Sequence, residues 1–204
     1  MAIKLNVFSQ FDGRLYQNYW QALGQFMHAF THVETLLQHT LAHFAGASDQ
    51  VGRALFADQR VMTTKDTLNK VLVASNKTDV HDRIKPFLDH LGLINSMRNL
   101  LIHNIVEPTE QEDAFLITNG SRATNGKLIE TPTSVVALQA MTMDMVFIMA
   151  ALAAEMSAAP DKPPAAPPDP MPWLYKPAAQ SSRPKNAKSA RNPKPTPPPP
   201  PSGG

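Results

Sequence analysis

The chain has no cysteine, so it holds no disulfide and no thiol nucleophile. That suits a reducing cytosol. Proline is nearly missing from most of the chain: of 19, only Pro86, Pro108 and Pro132 precede residue 158, and the other 16 lie between Pro160 and Pro201. About 157 residues are thus left for one folded domain, enough to bury a sizeable core. No glycine-rich phosphate loop, no serine nucleophile motif and no internal repeat is present, so neither a nucleotide-cradling loop nor a repeat array is expected. The start, Met1-Ala2-Ile3-Lys4-Leu5-Asn6-Val7, lacks the uninterrupted apolar stretch of a signal peptide, and a cytoplasmic location is expected.

Positive charge is scarce where folding is expected. The formal net charge of +2 divides into −3 over residues 1–157, with 12 basic and 15 acidic side chains, and +5 over the remainder. The folded part is therefore not a generic polyanion binder. Loose attraction to nucleic acid would come from Lys176, Arg183, Lys185, Lys188, Arg191 and Lys194 of the tail.

What is present is mostly helical periodicity. At about 100° per residue, Tyr19, Leu23, Phe26, Phe30, Val33, Leu37, Leu41 and Phe44 share one face, which predicts an amphipathic helix from about Gly13 to Phe44. Gly46 is a plausible stop. A short helix over about Gln50–Ala57 should follow, then one capped by Thr63 or Thr64 and reaching about Ala74. Asp79 can cap a long helix to Asn104, which Pro86 should kink or break.

Residues 105–132 change character. Ala114–Thr118 and Lys127–Glu130 flank Asn119-Gly120 and Asn125-Gly126, which reads as a β-hairpin or ordered loop. Thr133 or Ser134 then caps a last helix to about Ser157. That helix is apolar enough to raise a membrane span, but Gln139, Asp144 and Glu155 interrupt it, and a core or dimer helix is the better reading. No membrane association is expected. The fold class is thus all-α: an up-and-down bundle of about four to five helices with a small hairpin or loop insert, occupying 1–157. Residues 158–204 should be a disordered Pro-rich basic tail. One island in it, Met171-Pro172-Trp173-Leu174-Tyr175, reads as a docking motif for a protein partner or for the folded domain, or as an incidental aromatic in a linker.

One element is chemically suggestive. On the helix ending at Asn104, Arg98 falls inside the apolar face among Leu91, Ile94, Ile102 and Ile105. A guanidinium there needs an anion and satisfied donors, because it does not lose its charge. Asn99 and His103 share the flank of that stripe, and His103 stands about 140° around the helix from Arg98. In one reading Arg98 pairs with a carboxylate, Glu34 being the best candidate, and His103 caps the helix end. In the other, Arg98 and His103 address a phosphodiester: arginine matches phosphate bidentately and histidine moves the 2′-hydroxyl or leaving-group proton, without a metal or cofactor.

Arg98-Asn99-Leu100-Leu101-Ile102-His103 resembles the Arg–four residues–His signature of the HEPN superfamily, including Asn after the Arg. The flanking Leu93–Met97 and the upstream Thr31–Leu37 are similar to bacterial HEPN-like proteins as well, and the resemblance covers residues 15–155. It implies a helical bundle that dimerises and brings two copies of the motif to one cleft. It also implies a metal-independent endoribonuclease or RNA-binding protein of a toxin–antitoxin, abortive-infection or other defence system. Arg98 and His103 would be catalytic, with Asn99 assisting and Glu34 as a motif neighbour. Members without activity serve as scaffolds, so a non-catalytic interaction module with a partner-recruiting tail is the competing expectation.

His28, His32, His39 and His43 lie within about 60° of one another on the first helix. Two pairs at four-residue spacing raise metal binding, but the stripe lies opposite the apolar face and reads as a solvated surface. The acidic run Glu107, Glu110, Glu112 and Asp113 likewise reads as a solvated loop rather than a cation site.

Overall fold

In a computed structural model the described residues are 13–124, 127–158, 172–178 and 181–184. Among them the chain forms five helices and a small antiparallel sheet. These are α1 (Gly13–Phe44), α2 (Asp49–Phe56), α3 (Val61–Ala74), α4 (Thr78–His103), β1 (Ile105–Pro108), β2 (Ala114–Thr124), β3 (Lys127–Ser134), α5 (Val135–Ser157) and β4 (Ser181–Pro184).

The helix limits follow local chemistry. Gly46, at φ 68°, ends the first helical segment in the left-handed region that glycine enters without penalty. Ser134 caps α5 by accepting a hydrogen bond from the Ala137 amide at 3.1 Å. The third helix departs from expectation. It starts at Val61 rather than after Thr63 or Thr64, because Thr64 is buried and turns its hydroxyl back to the Arg60 carbonyl at 3.2 Å. Pro86 lies within α4, which runs as one helix from Thr78 to His103. The proline and Asp82, whose carbonyl loses a partner, are both on the exposed side, where the unpaired carbonyl is open to solvent.

The core is formed where α5 packs along α1 and also against α4. Phe26, Val33, Leu37 and Leu41 of α1 meet Leu138, Met141, Met145, Ile148 and Leu152 of α5 and Leu88, Leu91 and Ile94 of α4, all buried. The apolar last helix is long enough to cross a membrane by composition, and here its inward face is a principal wall of the core. Asp144 sits in the middle of that face.

The insert expected as a hairpin is larger. Strands β1, β2, β3 and β4 lie side by side in that order, all antiparallel. The pairs Ile105–Thr118, Thr118–Glu130 and Glu130–Ser181 run straight across it. Pro108 ends the edge strand, where a missing amide costs no ladder bond. Phe115, Ile117 and Asn119 alternate inward along β2, and Phe115 packs on Tyr19 with ring centroids 4.4 Å apart and planes tilted by 40°. Asn125-Gly126, expected at the hairpin tip, lies outside the described residues.

The tail expected to be disordered from residue 158 has two placed stretches. Residues 172–178 return to the α4–α5 face, and 181–184 add the fourth strand. Too apolar-poor to fold alone, the tail borrows the core: Tyr175 is buried and Trp173 packs against the same cluster. The rest of the tail lies outside the described residues.

Candidate functional site

Helix α4 carries two chemically distinct regions. The first is its C-terminal end. Leu91, Ile94, Met97 and Leu101 point into the core, and Arg98, within the same arc, is half-buried. Its Cζ lies 5.5 Å from the centroid of the Phe30 ring, a cation–π arrangement. Its Nη1 donates to Asn99 Oδ1 at 3.2 Å, while its buried Nε has no hydrogen-bond partner. No ion pair among the described residues involves Arg98. An orphaned buried donor costs about 1–3 kcal/mol, and an added acceptor, most favourably an anion, would recover it.

The pairing of Arg98 with Glu34 is not formed. Arg98 rests on Phe30, one turn before Glu34 on α1. Glu34 is half-buried in a shallow polar recess lined by Thr35, Gln38, Asp58, Gln59 and Arg60. Capping of the helix end also falls to a different residue. Asn104 Nδ2 donates to the Leu100 carbonyl at 2.9 Å, whereas His103, the last helical residue, is exposed. Asn99 is exposed beside Arg98. Asn99 and His103 are thus exposed and Arg98 half-buried at one helix end, with Arg98 and His103 about 140° apart around it.

The second region lies two turns earlier and escapes a motif search. Asp144 is fully buried on α5 and His90 on α4 nearly so. His90 Nε2–H donates to Asp144 Oδ2 at 2.8 Å. The returning tail supplies two more donors: the Leu174 amide to Oδ1 at 3.0 Å and the Tyr175 amide to Oδ2 at 2.9 Å. Three N–H groups therefore satisfy a carboxyl that the apolar core would otherwise exclude.

The rings close over this group. Trp173 stacks on His90 with centroids 4.0 Å apart and planes 5° from parallel, and Phe87 meets Trp173 edge-on at 5.5 Å. Burial pushes the Tyr175 phenol above its ordinary pKa. Of the two destinations the sequence leaves open for Trp173-Leu174-Tyr175, the folded domain is the one observed. His90 is not among the residues that the sequence singles out; the signals that could have found this region are an aspartate at the centre of an apolar helix and a histidine one turn from Phe87.

A half-buried ion pair closes the far end of the same helices. Arg83 donates through Nε and Nη2 to the two oxygens of Glu155 at 2.7 and 2.9 Å, and through Nη1 to Asp79 at 3.1 Å. These carboxylates, Glu155 foremost, hold the Arg83 pKa above its ordinary value.

The histidine stripe of α1 is a solvated face. His28 and His32 are exposed with Nε2 atoms 3.1 Å apart, His39 and His43 are exposed too, and no group of three or more metal-ligating side chains occurs among the described residues. Glu107, Glu110 and Glu112 are exposed, and Asp113 forms the turn before β2 at φ 54°. No protein-family model matches the chain, and neither a curated protein nor a solved structure matches it.

Proposed function

We propose that this chain is a HEPN-like protein that binds and cleaves RNA at the C-terminal end of α4, without a metal. The observation that carries the reading is Arg98. Its guanidinium is half-buried, rests on the Phe30 ring and holds a buried Nε with no partner, beside Asn99 and one turn before an exposed His103. A scissile phosphate would meet the guanidinium from its solvent side, since Arg98 is only half-buried. Arg98 would neutralise the charge developing on the phosphoryl oxygens. Asn99, already bonded to Arg98 Nη1, would fix the guanidinium plane. His103 would take the proton of the RNA 2′-hydroxyl, which attacks the adjacent phosphorus, and the 5′-oxygen leaves with a proton from water or from the second histidine of a dimer. The products carry a 2′,3′-cyclic phosphate and a 5′-hydroxyl.

Because Arg98 and His103 stand about 140° apart around the helix, the reading calls for a homodimer in which one copy's arginine and its partner's histidine share a phosphate. The helices would then form an up-and-down bundle of the family type, acting in the cytoplasm in stress or defence. The test is incubation of full-length protein with diverse RNAs in the presence of a chelator. Cleavage with cyclic-phosphate ends, abolished by Arg98→Ala and by His103→Ala, is the expected outcome. RNAs left whole over long incubation would overturn it.

The competing reading is a helical interaction module without catalysis. The docked Trp173–Tyr175 segment favours it, since the chain already recognises a short peptide on α4 and α5.

A further inference from the structure

Recognition of the 172–176 segment is concentrated in a few groups. The carboxylate of Asp144 takes two successive amides, those of Leu174 and Tyr175, which requires a bent main chain because neighbouring amides of an extended strand point apart. Trp173 and Tyr175 are the side-chain anchors, and Leu174 between them is 52% exposed. The receiving groups stand on rigid elements: Phe87 and His90 on α4, Asp144 on α5. His90 and Asp144 bond to each other directly, with no group of the segment between them.

The covalent link imposes none of this. The last residue of α5 is Ser157, and Asp144 lies about 20 Å back along the helix. The connecting residues 159–171 can span about 40 Å when extended, so the link has slack and the segment is held by its own contacts. Such a tether presents its ligand at an effective concentration on the order of millimolar.

We propose that the α4–α5 face bearing Phe87, His90 and Asp144 is a recognition site for a bent peptide with tryptophan and, two residues on, tyrosine. The chain's own 172–176 segment fills it as a releasable strap. Stacking on His90 selects the tryptophan, the Asp144 carboxylate reads the main chain at the bend, and the central residue is free to vary. Release opens a preformed site to a peptide of the same kind.

The test uses the full chain in two ways. Hydrogen exchange on the unmodified protein should show the Leu174 and Tyr175 amides protected, yet exchanging about 100-fold faster than those of Leu91 and Ile148, through local opening. A labelled peptide of residues 170–178 should bind the full-length Trp173→Ala/Tyr175→Ala double variant at least about tenfold more tightly than the unmodified chain, whose tethered strap competes. The same peptide with alanine for tryptophan should not bind. Strap amides that exchange only together with the core, or that show no protection, would overturn the proposal. So would a folded double variant that ignores the peptide. If the double variant does not fold, the exchange rates of the unmodified chain decide between a strap and a fixed part of the core.

Discussion

Oδ2 of Asp144 lies 2.8 Å from Nε2 of His90. The two residues belong to different helices, 54 positions apart, and are the most deeply buried titratable pair among the described ion pairs. The pair joins α4 to α5 in the middle of their interface, which Arg83–Glu155 closes at one end, and its remaining acceptor capacity goes to the tail. Removing the carboxylate leaves an imidazole N–H and two amides without acceptors. Asp144→Ala is therefore expected to cost about 3–5 kcal/mol in urea unfolding, and Asp144→Asn, which keeps one acceptor oxygen, about 1–3 kcal/mol. In a Trp20→Phe background, Trp173 emission should shift to the red in both variants as the ring leaves His90. Unchanged emission would mean that Asp144 does not hold the strap.

Arg98 should show function and stability pulling in opposite directions. Arg98→Met keeps an unbranched apolar stem over Phe30 and removes the buried Nε without a partner. It is expected to raise stability by about 1 kcal/mol while abolishing RNA cleavage. A variant as active as the parent would remove Arg98 from the chemistry. His103→Ala, at an exposed helix end, should change the melting temperature little.

Two helical glycines should respond to alanine with opposite signs. A Cβ at Gly52 of α2 would stand 2.5 Å from the Ala42 Cβ, so α2 would have to move off α1, at a cost of about 1–3 kcal/mol. At Gly24, exposed in the interior of α1, an added Cβ meets nothing within 4 Å. Gly24→Ala should stabilise by about 0.5–1 kcal/mol. Equal effects in thermal unfolding would contradict the close α1–α2 contact.

Alkaline pH should unfold the protein through its tyrosines. Burial beside Phe115 of β2 pushes the Tyr19 phenol from 10.0 up to about 12. Its raised folded-state value means the contribution is complete below pH 10 and is lost as pH rises through about 12, because the unfolded chain gives up the proton first. About 2–3 kcal/mol should disappear over that interval. Tyr19→Phe, which has no proton to lose, should flatten the alkaline limb of a stability-versus-pH curve, and an unaltered limb would place the cause elsewhere.

The Arg83–Glu155 bridge gives a further check. Glu155 is 8% exposed and receives two donors from one guanidinium. Glu155→Ala strands Arg83 against the helix with only exposed Asp79 as partner, and a loss of about 2–4 kcal/mol is expected in denaturant titration. A loss below about 0.5 kcal/mol would show that water replaces the carboxylate at no cost.

Local sequence signals placed the helices, apart from the start of α3. The apolar spacing from Tyr19 to Phe44, the Ser134 cap and the Val135–Ser157 run are local properties of contiguous residues, and each appears at or near its expected limits. Arg98 on the inward arc of α4 was legible for the same reason, as a matter of angle around one helix. What contiguous residues do not encode is which distant group meets which. The core that α1 and α4 share through α5 set Arg98 on Phe30 rather than beside Glu34, and packing of α4 on α5 brought His90 to Asp144. The placement of 172–178 was decided the same way: its few apolar side chains are too few to fold alone, and only a carboxylate and two rings already fixed on two helices offset the entropy of ordering it.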